Sequence, residues 1–121
     1  MNTDSDLTRE IIGCAMTISR VLGCGFLESV YERAVAHALR KKGLGVEAQR
    51  PFAVVYDGVV VGEYRADLIL GGRVLVEVKA ARAIDPAHQA QILNYLKASR
   101  LRVGLILNFG TPRLGIKRMV L

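Results

Sequence analysis

The segment Val74–Lys79 is the part of the chain that most limits how the protein can fold. It reads Val-Leu-Val-Glu-Val-Lys, a short apolar run typical of a strand, yet it contains an acid and a base. Strand alternation places Glu77 and Lys79 on one face and the three valines on the other. Ionised groups in an apolar strand are costly unless they are paired or hold a metal. The segment therefore predicts a polar site next to the core.

A second acid, Asp67, lies in the preceding apolar run, and Gly71-Gly72 separates that run from the Glu77 strand. A plain two-residue turn would send Asp67 and Glu77 to opposite faces of the sheet. A three-residue connection or a bulge, feasible because glycine tolerates positive φ, segregates the faces instead. One face then carries Ala66, Leu68, Leu70, Val74, Val76 and Val78. The other carries Arg65, Asp67, Glu77 and Lys79 beside Ile69 and Leu75.

Burial selects the segregated register, because a one-residue slip would exchange the two faces. In that register Asp67 and Glu77 come close enough to share a cation. The two acids and Lys79 are therefore the first candidates for a functional site.

Periodicity and turn signals place the remaining elements. Helical spacing runs from Leu7 to Leu22, with Ser5 or Asp6 as a plausible cap, and a second helix ends near Gly43. Asp57-Gly58 is a strong hairpin signal, and Asp85-Pro86 opens a helix that runs to about Ser99. Strands are predicted at 52–56, 59–61, 64–70, 74–79, 101–109 and 116–121. The order α-α-β-β-β-β-α-β-β predicts an α/β protein (an α+β sandwich) with a mixed central sheet flanked by helices.

Length and composition bound the class of protein. The 121 residues suit one domain over 1–121, and 51% hydrophobic with 23% charged residues is typical of a folded protein rather than a disordered one. No apolar run reaches the ~20 residues that span a bilayer, so no membrane association is predicted. The N-terminus lacks a signal-peptide pattern, and the spacing of Cys14 and Cys24 predicts neither a metal nor a redox site. These features favour a cytoplasmic protein with reduced cysteines.

The net charge of +6 favours a polyanionic partner such as nucleic acid, although the basic residues are dispersed. The densest basic cluster, Arg40-Lys41-Lys42, ends a helix, where cations also suit the helix dipole. No recognition helix and no array of stacking aromatic residues is visible in the sequence, so base specificity is not predicted.

The motifs resemble a known superfamily. Asp67 followed by Glu77-Val78-Lys79 resembles the bipartite Asp…Glu-X-Lys signature of the PD-(D/E)XK nuclease superfamily. The segment Gly25–Tyr31 is similar to the pattern that names one of its families, the GxxExxY proteins. Ser19 departs from the family pattern, which has a histidine there. The resemblance implies a restriction-endonuclease-like core and a nuclease that acts on nucleic acid.

The resemblance also implies a divalent-metal site. Asp67 and Glu77 would be the core ligands of Mg²⁺ (or Mn²⁺), with the Val78 carbonyl as a third ligand. Glu28, from the second helix, would add an acid to the metal directly or through water. Two neighbouring carboxylates favour the charged form of Lys79, which suits it to orient water and neutralise charge rather than to begin as a base.

Four further residues are implied near the site or substrate. Gln91 and Tyr95 share a helical face and are similar to a motif of one exonuclease-like branch, with the glutamine near the lysine and the tyrosine near substrate. Tyr31 and Arg65 are further substrate-binding candidates. Blander readings stay open: an ion-pair network for the acids and Lys79, an arginine partner for Glu28, a core position for Tyr31, and a half-buried helix face for Gln91 and Tyr95.

Two classes of function remain open at this stage. The first is a magnesium-dependent nuclease. The alternative is a catalytically silent module that binds nucleic acid or a protein and keeps the nuclease fold. A core this small has little surface for sequence readout, so a homodimer or a partner protein is also plausible.

Overall fold

A computed structural model describes residues 3–121. Two helices come first, then three strands, a third helix and two final strands. Their bounds are α1 (Asp4–Leu22), α2 (Glu28–Lys41), β1 (Val46–Tyr56), β2 (Val59–Leu70), β3 (Val74–Lys79), α3 (Pro86–Ser99), β4 (Val103–Asn108) and β5 (Gly115–Val120). The strands form one five-stranded sheet in the order β1-β2-β3-β4-β5. Only the β3–β4 pair is parallel, and α3 makes that crossover. The predicted α+β class with a mixed sheet is confirmed.

The sheet lies between two layers of helices. Side chains of α1 and α2 pack with Leu68, Val76 and Leu105 on one face of the sheet. On the other face, α3 packs through Ile92 and Leu96. The central pair β3 and β4 is buried along nearly its whole length, as expected for parallel strands covered on both faces. Of the three helices in residues 3–121, none combines the length and hydrophobicity that crossing a bilayer requires.

The connection between β2 and β3 has the predicted length. The pairs Leu68–Val76 and Leu70–Val74 leave three residues, 71–73, in the turn. Gly71 and Gly72 adopt φ values of 60° and 66°, in the left-handed region that glycine tolerates. The same register, continued by one step, sets Asp67 opposite Glu77.

One part of the predicted face assignment is wrong. Ala66 packs with Ile69 and Leu75 against α3, not with Leu68 on the α1–α2 face. The cause is a break in the β1–β2 ladder: Ala48 pairs with Leu68 and Arg50 with Ala66, but the residues between them do not pair. Side-chain alternation changes phase at that break. Its centre is Gln49, whose φ of 55° is unusual for a residue other than glycine.

Element boundaries differ from the prediction in several places, and the largest difference is that β1 begins at Val46 rather than at residue 52. Residues 59–61 and 64–70 form the single strand β2, because Gly62 stays paired with Val54 and a bulge between Val54 and Val55 absorbs the irregularity. The observed order is therefore α-α-β-β-β-α-β-β. The cap of α1 is Thr3, which forms a capping box with Asp6, rather than Ser5 or Asp6.

Both turn signals are confirmed. Asp57 and Gly58 have φ values of 52° and 72°, as a two-residue hairpin of β1 and β2 requires. Asp85 caps α3 by accepting a hydrogen bond from the His88 N–H, and His88 Nδ1 accepts from the Asp85 N–H in return. His88 therefore takes part in the capping box at the start of α3.

Candidate active site

The candidate site lies where β2 separates from β3. Their ladder ends at the Leu68–Val76 pair, and the Asp67 side chain takes the place of the next ladder partner. Asp67 Oδ2 accepts a hydrogen bond from the Val78 main-chain N–H at 2.8 Å. Because the N–H and C=O of one strand residue point to the same side, the Val78 carbonyl also faces the gap beside Asp67.

Glu77 lies beside Asp67 at the edge of this gap and is only 5% exposed. Within residues 3–121, its Oε1 atom is buried and has no hydrogen-bond partner. Burial, followed by the charge of Asp67, raises the pKa of Glu77 from 4.5 to about 9, although the charge of Lys79 opposes the shift. In the metal-free protein the protonated form of Glu77 is therefore favoured.

Lys79 projects from β3 toward α3, where its Nζ donates a hydrogen bond to Gln91 Oε1 at 3.1 Å. The structure thus brings together the lysine and the glutamine that the sequence analysis placed near each other. The contact orients the ammonium on the same side of the sheet as Glu77, since residues two apart in a strand share a face.

Asn108 and Gly110 hold the chain directly after Lys79. Asn108 is buried at the end of β4; its Oδ1 accepts from the Ala81 N–H at 2.9 Å and its Nδ2 donates to the Ala81 carbonyl at 3.0 Å. A Cβ atom at Gly110 would lie 2.2 Å from that carbonyl oxygen, so the close approach needs a glycine. Asn108 and Gly110 therefore fix where the strand carrying Glu77 and Lys79 ends.

Glu28 reaches the site from the opposite layer. It is the first residue of α2, and its Oε2 accepts a hydrogen bond from the Ala80 N–H at 3.2 Å. This partner is a main-chain group next to Lys79, not the arginine that one reading of the sequence suggested. Glu28 is exposed and stands at the rim of the site.

Two residues of the site were missed by the sequence analysis, namely Glu32 and Gln49. Gln49 Nε2 lies 2.6 Å from Glu32 Oε1 and 3.3 Å from Asp67 Oδ1, so one amide joins both acids. Burial raises the pKa of Glu32, as do the charges of Asp67 and Glu28, while the Gln49 hydrogen bond opposes the shift. The position of Glu32 four residues after Glu28 could have indicated a shared helical face. Nothing in the sequence marks Gln49.

Tyr31 does not reach the site. Its side chain is fully buried and stacks on Phe109 with ring centroids 4.6 Å apart. Its hydroxyl donates to the Gly23 carbonyl at 2.6 Å and accepts from the Phe26 N–H at 3.2 Å. The expectation that Tyr31 contacts substrate is therefore corrected: Tyr31 is a core residue that fastens the loop before α2.

Arg65 is held on the outer surface of the β1–β2 pair. Its guanidinium donates to the Gln49 carbonyl at 3.2 Å and lies 3.8 Å from Glu63 Oε1. These contacts occupy it away from Glu77, so it does not balance the buried acid as the shared-face prediction implied.

Tyr95 belongs to a stack of three aromatic rings. Its ring lies 3.9 Å from that of Tyr64 with an interplanar angle of 5°, and Tyr64 lies 5.4 Å from Phe52. This stack is not visible in the sequence and forms only in the folded chain. The rings are far apart in sequence and meet because Phe52 pairs with Tyr64 across β1 and β2, while α3 brings Tyr95 onto them.

The acidic side chains of the described residues do not by themselves provide a complete set of metal ligands. Within residues 3–121, no three His, Cys, Asp or Glu side chains converge as a metal site. Asp67 and Glu77 are the inner pair, while Glu28 and Glu32 contribute charge from α2.

Comparison with known families defines the class of protein. The sequence model of the PD-(D/E)XK nuclease superfamily matches residues 5–119, so the chain belongs to that superfamily. Nucleases of this class generally use divalent metals and act on nucleic acid. No curated protein matches the sequence.

Several solved structures are similar to this one, SSO0001 and an alkaline exonuclease among them. The chain resembles SSO0001 with a TM-score of 0.58 and 17% identity over 97% of this chain; it spans 58% of that protein's length. It also resembles an alkaline exonuclease (LHK-Exo) from Laribacter hongkongensis with a TM-score of 0.47 and 10% identity, over 99% of this chain and 71% of the other. The likeness to SSO0001 agrees with the restriction-endonuclease-like fold expected from the sequence.

Proposed function

We propose that the protein is a metal-dependent nuclease that hydrolyses phosphodiester bonds in nucleic acid, and that it is a GxxExxY member of its superfamily. The observation that carries the proposal is the meeting of Asp67 with the buried Glu77, beside Lys79, where the β2–β3 ladder opens. An acid this buried costs stability in the metal-free protein, which is expected where a site is arranged for a ligand.

The donor set fits Mg²⁺ or Mn²⁺. Glu77 Oε1 is buried and has no hydrogen-bond partner among residues 3–121, and the neighbouring Asp67 charge makes a divalent cation favourable there. Asp67, Glu77 and the Val78 carbonyl would hold the ion, with Glu28 bound directly or through water. Two carboxylates with water and phosphate are a common Mg²⁺ shell, so a third acid is not required. Such an ion supplies charge for a phosphate oxygen and favours deprotonation of a bound water.

Lys79, held by Gln91, would orient the attacking water and the phosphate. The hydrogen bond to Gln91 holds the ammonium group at the end of β3, on the same face of the sheet as Glu77. Lys79 would donate hydrogen bonds to the attacking water and to the phosphate, where negative charge grows during the reaction. The water oxygen bonds to phosphorus, the bond from phosphorus to the leaving oxygen breaks, and the water supplies the proton that the leaving oxygen takes up.

Cleavage of labelled DNA and RNA tests the proposal. The wild type is incubated with Mg²⁺, Mn²⁺ or EDTA beside Asp67→Ala and Lys79→Ala, with Arg9→Gln on the distant helix α1 as a control. We expect ion-dependent cleavage that falls by about 100-fold or more in both site variants and stays unchanged in the control. A wild type that cleaves no substrate, or site variants that cleave as well as it does, would rule out the nuclease function.

A catalytically silent nucleic-acid-binding module is the second candidate. Two observations favour it: Glu28 accepts a hydrogen bond from the Ala80 N–H, and residues 3–121 contain no group of three His, Cys, Asp or Glu side chains that could hold a metal ion. Retained binding of nucleic acid by a wild type that does not cleave would support this module.

A further inference from the structure

A groove of about 670 Å³ runs between β1 and the second half of α3, a volume within the range of ligand pockets. Val54 and Val55 of the hairpin form one side and are 40% and 59% exposed. Polar and cationic groups line the other side, namely Asn94, Lys97 and Arg100. Among the described residues that line the groove there is no acid. The groove thus combines an apolar wall with positive charge.

The groove begins one helical turn from the candidate site. Tyr95 lines it, and Gln91, the partner of Lys79, lies four residues earlier on the same face of α3. The charges of Glu77 and Asp67 reach Tyr95, since they add to the effect of burial in raising its pKa. A chain lying in the groove would therefore continue past Tyr95 to the acids.

The wall at this end of the groove is held firmly. The Tyr64 hydroxyl donates to the Tyr95 carbonyl at 2.7 Å, and the two rings are stacked. Phe52 continues the stack, and the Arg50 guanidinium lies 5.2 Å from the Phe52 ring centroid. Rings that are already ordered lose little conformational entropy when a ligand packs against them.

We propose that this groove binds a single-stranded segment of nucleic acid next to the bond that is cleaved; the inference rests on the proposed function. Bases pack against Val54, Val55 and the Tyr95 ring, while Lys97 and Arg100 contact phosphates. Aromatic and apolar surface beside cations is the usual means of holding a single strand. A duplex is disfavoured, because its base faces are already stacked on one another and are not free to pack against the apolar wall.

Fluorescence anisotropy in EDTA tests the groove without cleavage. Labelled single-stranded DNA, single-stranded RNA and a duplex of the same sequence are titrated with the full chain at two salt concentrations. We expect single strands to bind at least 10-fold more tightly than the duplex, with weaker binding at higher salt. The DNA and RNA arms identify which of the two is preferred.

Matched variants locate the binding surface. Lys97→Gln/Arg100→Gln should weaken single-strand binding at least 10-fold, whereas Arg9→Gln/Arg20→Gln, with the same loss of charge on α1, should change it less than twofold. Thermal unfolding verifies that both variants are folded. Three results would contradict the proposal that the groove binds a single strand. They are equal or tighter binding of the duplex, no binding of any nucleic acid, and unchanged binding by the Lys97/Arg100 variant.

The two proposals fail separately. A wild type that binds single strands in EDTA but never cleaves would exclude the nuclease function and support the groove. Cleavage at wild-type rate by the Lys97/Arg100 variant at subsaturating single-stranded substrate would exclude the groove and leave the nuclease function intact.

Discussion

Asp67 hydrogen-bonds through its side chain to the main chain of Val78, with Oδ2 2.8 Å from the amide nitrogen. One carboxylate oxygen thus closes the end of the β2–β3 ladder. The other oxygen, Oδ1, lies 3.3 Å from the Gln49 amide. One oxygen of Asp67 therefore stabilises the fold through the Val78 N–H, while the other lies in the candidate site beside Gln49.

This division predicts different outcomes for two Asp67 variants. Asp67→Asn can still accept from the Val78 N–H, so it should fold with little loss of stability. Asp67→Ala leaves that N–H without a partner and should cost about 1–3 kcal/mol. Both should lose Mn²⁺ binding because the anionic ligand is gone. Chemical unfolding and calorimetric Mn²⁺ titration check this, and an Asn variant that still binds Mn²⁺ as the wild type does would contradict it.

Gln49 is expected to act as a positioning residue. Removing its amide frees Glu32 and Asp67, and loss of a group that orients a ligand typically weakens metal binding 10–100-fold. Gln49→Ala and Gln49→Gly should both weaken Mn²⁺ binding to this extent. Gln49→Gly should be the more stable variant, by about 1 kcal/mol, because glycine relieves the positive φ. Calorimetry and denaturant unfolding measure the two effects, and unchanged Mn²⁺ affinity in both variants would refute the role.

Glu77 predicts a pH-dependent stability of the metal-free protein. Its pKa in the folded state is raised from 4.5 to about 9, so folding favours the protonated acid. The stability that this group contributes is full below its unfolded pKa and is lost as the pH rises through its folded pKa. Asp67, Lys79, Tyr64 and Tyr95 are the titratable groups that interact with it.

Glu77→Gln removes this titration. In EDTA at pH 8 the variant should be more stable than the wild type by several kcal/mol, and the difference should shrink toward pH 5. Urea unfolding at several pH values provides the measurement. Glu63→Gln, an exposed acid, is the control and should show no such trend. A difference for Glu77→Gln that does not vary with pH would be inconsistent with the buried acid.

Replacing Gly110 by a larger residue should disturb the end of β3, because no space is left there for a side chain. A Cβ there would lie 2.2 Å from the Ala81 oxygen and 2.5 Å from the Ala81 nitrogen, both of them main-chain atoms. Gly110→Ala should destabilise the protein by about 2–4 kcal/mol, because the backbone has to move. Gly13→Ala, where nothing lies within 4 Å, is the matched control and should stabilise helix α1 by up to about 1 kcal/mol. Equal stability of the two variants would contradict the close contact.

Local patterns predicted much of the frame. The Asp57-Gly58 hairpin and the Asp85 cap depend on neighbouring residues only, so they could be read directly. The opposition of Asp67 and Glu77 was also predictable, since burial of one sheet face permits a single register across the glycines. The same reasoning misassigned Ala66, because it assumed unbroken alternation along β2.

The sequence alone determined the type of each element and the positions of Asp67, Glu77 and Lys79, because these depend on periodicity and on the cost of burying charge. Only the tertiary structure decided which distant groups meet them. Gln49 joins Glu32 to Asp67 because the chain takes an unusual φ at a ladder break, and Phe52, Tyr64 and Tyr95 stack because strand register and helix packing coincide. Such meetings arise from packing between elements, which the pattern within any one element does not encode.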